Sequence, residues 1–183
     1  MTALLHFDNV TLVRGGRLLF EGLNLGVGPG EAVQVAGPNG SGKSSLLRLA
    51  AGLLRPERGH VTRPQVAFAD DHLALDRELP LARALRFWST SVDLTMDALG
   101  ISALAAVPVR LLSSGQLKRA TLARVAASEA PLWLLDESLN ALDADGAERL
   151  AKVLLGHRAR GGAVLAASHQ TLPGEWRRLD LGA

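Results

Sequence analysis

The chain has 183 residues, 48% of them hydrophobic and 21% charged, with a formal net charge of +2 and no cysteine. That length suits one domain with a single sizeable core, and the missing thiols exclude disulfides, zinc–thiolate sites and cysteine catalysis. The longest stretch free of Asp, Glu, Lys and Arg runs from Gly161 to Gly174, shorter than the roughly 20 apolar residues of a membrane span, and it contains His169.

The chain opens on MTALLHFD, without the basic start and long apolar core of a signal peptide, so a cytoplasmic protein is expected. Alternating residues from Leu4 to Val10 and from Leu18 to Leu25 predict two antiparallel strands joined at Arg14-Gly15-Gly16. Glu31 to Ala36 predicts a third strand ending at Gly37, and Lys43 to Leu53 a helix closed by Gly52 and Pro56. Gln65 to Ala69 is strand-like. Pro80 to Ser128 is rich in Ala, Leu and Arg and predicts an almost wholly helical insert divided near Pro108. Two apolar strands follow, at Leu132 to Leu135 and Ala163 to Ala167, separated by a helix over Ala144 to Arg158. Continuous apolar strands alternating with helices imply an α/β fold whose mainly parallel sheet is covered on both faces.

Gly37-Pro38-Asn39-Gly40-Ser41-Gly42-Lys43-Ser44 fits G-x-x-x-x-G-K-[ST] between a predicted strand and a predicted helix, the context that gives this pattern meaning. Its glycines let backbone N–H groups converge on an anion, and the helix N-terminus at Lys43 to Ser45 adds its positive dipole end. Lys43 supplies a full charge for the β- and γ-phosphates, and the Ser44 hydroxyl is placed to ligate Mg²⁺. Alone, the loop predicts only a nucleoside triphosphate site, shared by kinases, GTPases and motor ATPases.

The strand from Leu132 ends in Asp136-Glu137, at the sheet edge where ligands of parallel sheets collect. Asp136 is expected to hold Mg²⁺ through water, and Glu137 to polarise an attacking water as general base. Further upstream, Leu112-Ser113-Ser114-Gly115-Gln116 opens a helix with two serines as candidate N-caps.

That stretch resembles the LSGGQ signature of ABC ATPases. Asn140-Ala141-Leu142-Asp143 is similar to the family's D-loop, and Ser168-His169-Gln170 to its switch histidine. The resemblance covers nearly the whole chain. It implies a P-loop NTPase of the ABC type, with an antiparallel N-terminal β subdomain and a small helical signature subdomain. Residues 1–69 and 129–183 would form the nucleotide-binding core, and about 76–128 the insert. It also implies a head-to-tail dimer with a second copy, in which Ser113, Gly115 and Gln116 of one subunit close over ATP held by the other. His169 would act with Glu137 at the γ-phosphate.

Three departures from the family stand out. Asp70-Asp71-His72 occupies the place of the usual glutamine, making His72 a candidate Mg²⁺ or coupling residue. Arg14 maps where an aromatic normally stacks on adenine, and a guanidinium can stack there instead. Ser138 and Ser114 replace a proline and a glycine.

More narrowly, the short chain, Leu85-Arg86-Phe87-Trp88, Pro131-Leu132-Trp133 and the ending Arg177-Arg178-Leu179-Asp180-Leu181-Gly182 resemble ATPase subunits of bacterial cytochrome c maturation, or haem export, systems. That likeness implies a peripheral protein on the cytoplasmic face of the inner membrane, working with a membrane subunit resembling CcmB and with CcmC, CcmD and CcmE. The membrane partner would dock between the His72 loop and the helices from Pro80 to Leu104, near Leu81, Leu85, Phe87 and Trp88. The twenty cations are scattered along the chain, and no nucleic-acid partner is expected. Three other readings remain at this point: a different small ABC transporter; a non-transport ABC-type ATPase acting on nucleic acid or ribosomes, which typically carries two cassettes or a long coiled-coil insertion that does not fit in 183 residues; and a small-molecule kinase, which would leave LSSGQ and His169 unexplained.

Overall fold

The computed structural model describes residues 3–70, 72–137, 142–169, 172 and 174–181. The sequence candidates Asp71, Ser138, Asn140, Ala141, Gln170 and Gly182 lie outside them.

Strands β1 (Leu5–Arg14) and β2 (Arg17–Val27) pair antiparallel from Leu5↔Val27 to Arg14↔Arg17. Gly15 and Gly16, with φ of 57° and 76°, make the two-residue turn, the conformation that matches strand twist and favours glycine. Strand β4 (Arg58–Thr62), not expected from the sequence, pairs with the other side of β1 and completes a three-stranded sheet.

The second sheet has five strands among the described residues. Its strands are β3 (Ala32–Ala36), β5 (Val66–Ala69), β6 (Leu132–Asp136), β7 (Ala163–Ala167) and β8 (Arg177–Asp180), with β4 (Arg58–Thr62) belonging to the first sheet. The order is β5-β6-β7-β3-β8, and every pair is parallel. Alternation assigns the two faces. Leu132 and Leu134 of β6 join Val33, Val35 and Leu165 in a cluster with helix α1 (Lys43–Ala51) and β1. Trp133 and Leu135 point the other way, into a cluster with Val164 and Ala166. A strand buried on both faces must be apolar at every position, which is why LWLL and AVLAA show no polar alternation.

The insert is less helical than its composition predicts. It comprises α2 (Leu81–Arg86), α3 (Val92–Ala98), 3₁₀ turns at 102–104 and 109–111, and the long α4 (Ser114–Ala127); α5 (Ala144–Ala159) returns to the sheet. Pro80 and Pro108 instead form an isolated antiparallel bridge, and the donors Leu81 N and Val109 N bond the carbonyls of Val107 and Leu79. Of the four residues named for docking, Leu81 and Leu85 are fully buried and cannot meet a partner, whereas Phe87 is 82% and Trp88 45% exposed. The buried side chains of α2, α3 and α4 lie in the same cluster as Trp133 and Leu135, so the insert shares one core with a face of the sheet.

Candidate nucleotide site

The phosphate loop runs from the end of β3 into α1. Gly37, Gly40 and Gly42 have φ of 145°, 79° and 104°, in the region that penalises side chains. Space demands glycine as well: a side chain at 37 would strike the carbonyl of Leu181, and at 42 it would begin 3.3 Å from Leu19 Cβ. Ser41 N donates to Pro38 O at 3.2 Å, and Gly42 is the N-terminal cap of α1, whose first turn has no acidic side chain. No acidic side chain of the helix's own first turn competes with an incoming anion for the helix end.

Lys43 is 7% exposed, and its Nζ donates to the carbonyls of Gly37 at 2.9 Å and Pro38 at 3.1 Å. The ammonium therefore holds the loop in shape from within. Across the loop, Ser44 Oγ donates to Asp136 Oδ1 at 3.1 Å, joining α1 to the end of β6. Two hard oxygens in this position suit Mg²⁺, which binds through few protein ligands and completes its shell with phosphate and water. Among the described residues no cluster of three His, Asp, Glu or Cys side chains forms a metal cage.

Glu137 follows at once, with φ of 48°, a conformation that costs a non-glycine residue about 1–3 kcal/mol and clusters at functional sites. Its N–H donates to Ala167 O at 2.9 Å, so β7 fixes the turn. The carboxylate Oε1 lies 3.5 Å from His169 Nε2, bringing the ends of β6 and β7 together. A cleft of about 620 Å³ joins Arg14, Asn39, Gly40, Gly42, Lys43, Ser44 and Ser45 to Glu137 and His169. The sequence reading missed its remaining lining residue, Leu19.

The signature residues stand elsewhere. Ser113 caps α4 in a reciprocal box: Ser113 N donates to Gln116 Oε1 at 2.9 Å and Gln116 N to Ser113 Oγ at 3.3 Å. Ser113, Gly115 and Gln116 line a separate depression with Arg119 and Asp143. Arg119, also missed, donates to Asp143 and, at 2.9 Å, to Asp145 at the start of α5. The Gly146 backbone N–H and then Arg119 hold the Asp143 carboxyl below the usual range. His72 is not brought to the cleft: its side chain is 82% exposed, and Nδ1 lies 3.0 Å from Asp70 Oδ2.

The sequence profile of the ABC transporter family matches residues 20–140. The chain belongs to that family. Relatives named cytochrome c biogenesis ATP-binding export protein CcmA are 52% identical over 94% of this chain and 93% of the Sphingopyxis alaskensis protein. The Novosphingobium aromaticivorans relative is 56% identical over 87% of this chain and 85% of its own. An ATP-binding protein of an ABC transporter from Pyrococcus furiosus superposes with a TM-score of 0.82 at 22% identity, over 97% of this chain and 96% of that one, and shows the shared fold. In this ABC ATPase the phosphate loop, Glu137 and His169 line one cleft, and Ser113, Gly115 and Gln116 line another. No helix among the described residues of this ABC ATPase is long and apolar enough to cross a membrane.

Proposed function

We propose that this ABC ATPase serves cytochrome c maturation, hydrolysing ATP for a membrane complex that handles haem. Identity of 52% across nearly the full length of a protein named for that process carries the reading. Lys43 and the backbone amides of residues 37–44 would bind the phosphates. Ser44 and Asp136 would hold Mg²⁺, which neutralises phosphate charge when bound. Glu137 takes a proton from the attacking water, and His169, 3.5 Å from its carboxylate, orients the pair toward the γ-phosphate.

Separation of Ser113, Gly115 and Gln116 from the cleft supports a head-to-tail dimer, each signature helix completing the other copy's site. Residues 1–69 and 129–183 act as the nucleotide-binding core, with about 76–128 as the signature insert. The membrane subunit, of the CcmB kind and accompanied by CcmC, CcmD and CcmE, docks at the insert's apolar surface on the cytoplasmic face of the inner membrane. Phe87 and Trp88 support that location: they pack edge to face at 5.4 Å, and the Arg124 guanidinium lies 5.0 Å over Trp88. Exposed aromatics of this kind mark interfaces.

Co-purification of the tagged chain from its native membranes, with identification of the associated subunits, tests the assignment. A haem-handling membrane subunit and its chaperone are the expected partners. Recovery of an unrelated permease, with no haem-handling protein, overturns the reading in favour of a different small ABC transporter.

A further inference from the structure

Strand β2 begins alongside the phosphate loop. Side chains alternate along a strand, so Arg17 and Leu19 share a face. Leu19 fixes where that face points, since its Cβ lies 3.3 Å from the place a side chain on Gly42 would begin. Two residues earlier, Arg17 Nη1 reaches to 3.8 Å from the corresponding point on Gly40. Its cross-strand neighbour Arg14 lines the cleft itself. Among the described residues no carboxylate pairs with either guanidinium. Lys43, meanwhile, is bonded to the carbonyls of Gly37 and Pro38, which leaves the Gly40 side of the loop to another cation.

We propose that Arg17 is a nucleotide-binding residue, its guanidinium closing over Gly40 to donate to the phosphate chain of the bound nucleoside triphosphate. This rests on the reading of the cleft as the nucleotide site. The chemistry suits the position: a planar guanidinium offers paired donors matched to phosphate oxygens, and it keeps its charge at any working pH. The two-glycine turn brings Arg17 back beside Arg14, so the hairpin tip presents two cations at the mouth of the cleft. An arginine at the start of a strand carries no motif, which is why the sequence alone does not mark it.

The test is equilibrium binding of ATP and of inorganic tripolyphosphate to the full chain, each competed against a fluorescent ATP analogue, for the unsubstituted protein, Arg17→Gln, Arg17→Lys and Lys43→Ala. Removing one charge-assisted hydrogen bond is expected to weaken both ligands about tenfold in Arg17→Gln. Arg17→Lys keeps the charge but loses the paired donors, so its affinity should fall between those of Arg17→Gln and the unsubstituted protein. Unchanged binding in Arg17→Gln overturns the proposal. So does a loss for ATP that spares tripolyphosphate, because the contact would then be to the nucleoside, and so does an equal loss in Arg17→Lys. Full affinity in Lys43→Ala would instead overturn the placement of the nucleotide in this cleft, and the role of Arg17 with it.

Discussion

Ser44 and Asp136 are 92 residues apart in the chain, and a 3.1 Å hydrogen bond joins them at the C-terminal edge of the parallel sheet. The bond exists because β6 ends level with the phosphate loop: Asp136 pairs with Ala167 of β7, and β7 in turn pairs with β3, from which the loop springs. In the proposed function the hydroxyl and carboxylate would hold Mg²⁺. Ser44→Ala and Asp136→Asn are each expected to remove most of the gain in ATP affinity that Mg²⁺ gives, while leaving binding measured in EDTA close to that of the unsubstituted protein. Titrations with and without the metal check this. If either variant responds fully to Mg²⁺, its side chain is not a ligand.

In the proposed function Glu137 would be the base and His169, 3.5 Å from its carboxylate, would position it. Glu137→Gln keeps the shape and hydrogen bonding of the turn but cannot accept a proton, so hydrolysis should fall by about 10²- to 10⁴-fold with ATP binding retained. The bound ATP should then hold two copies together, visible as a dimer by size-exclusion chromatography. Normal turnover by Glu137→Gln would move the base elsewhere, with His169 the first alternative.

Much of the site was legible because its parts are local. The phosphate loop needs glycines at fixed offsets, and β6 and β7 need unbroken apolar runs, so both could be read from short windows. What escaped depends on pairing between distant segments. Strand β4 has an alternating half-exposed face and β8 reads RRLD, and neither has the hydrophobic pattern of a strand; their partners β1 and β3 define them. Composition overstated the helices of the insert, because Ala and Leu favour helix while the Pro80–Pro108 bridge breaks the run. Arg17, Leu19 and Arg119 were missed for one reason: each acts across a tertiary contact that no spacing encodes.

Arg119 ties the signature helix to the start of α5 through Asp143 and Asp145, and also donates to Leu99 O at 3.3 Å. Its side chain is far less exposed than either carboxylate, so the ion pairs matter less for stability than for the relative placement of the two helices. Arg119→Met is expected to lower ATP-driven dimer formation and turnover several-fold while changing the affinity of one subunit for ATP little. A thermal melt separates the outcomes: loss of fold in proportion to loss of turnover would make Arg119 a structural residue only.

On the face of the sheet that carries Trp133, His157 stacks on that indole, the ring centroids 3.7 Å apart and the planes 11° from parallel. Burial pushes the imidazole below its ordinary value, a push that the Ala163 carbonyl opposes and the Arg160 charge reinforces. The folded state thus binds this proton less readily than the unfolded state. Above the unfolded value of about 6.5 neither state is protonated, and the group adds no pH dependence. Below it the unfolded chain gains a proton that the folded chain refuses, so stability falls by up to about 1.4 kcal/mol per pH unit until the folded value is reached. Chemical denaturation between pH 7 and pH 5 should therefore show a decline that His157→Phe, which keeps the stacked ring without the titrating nitrogen, flattens. Gly162 provides an independent check, because a side chain there would strike the His157 ring. Gly162→Ala should cost about 1–3 kcal/mol at neutral pH, the range for overpacking a close-packed interior. An unaltered pH slope in His157→Phe, together with a neutral Gly162→Ala, would show that this stack neither senses protons nor constrains the turn into β7.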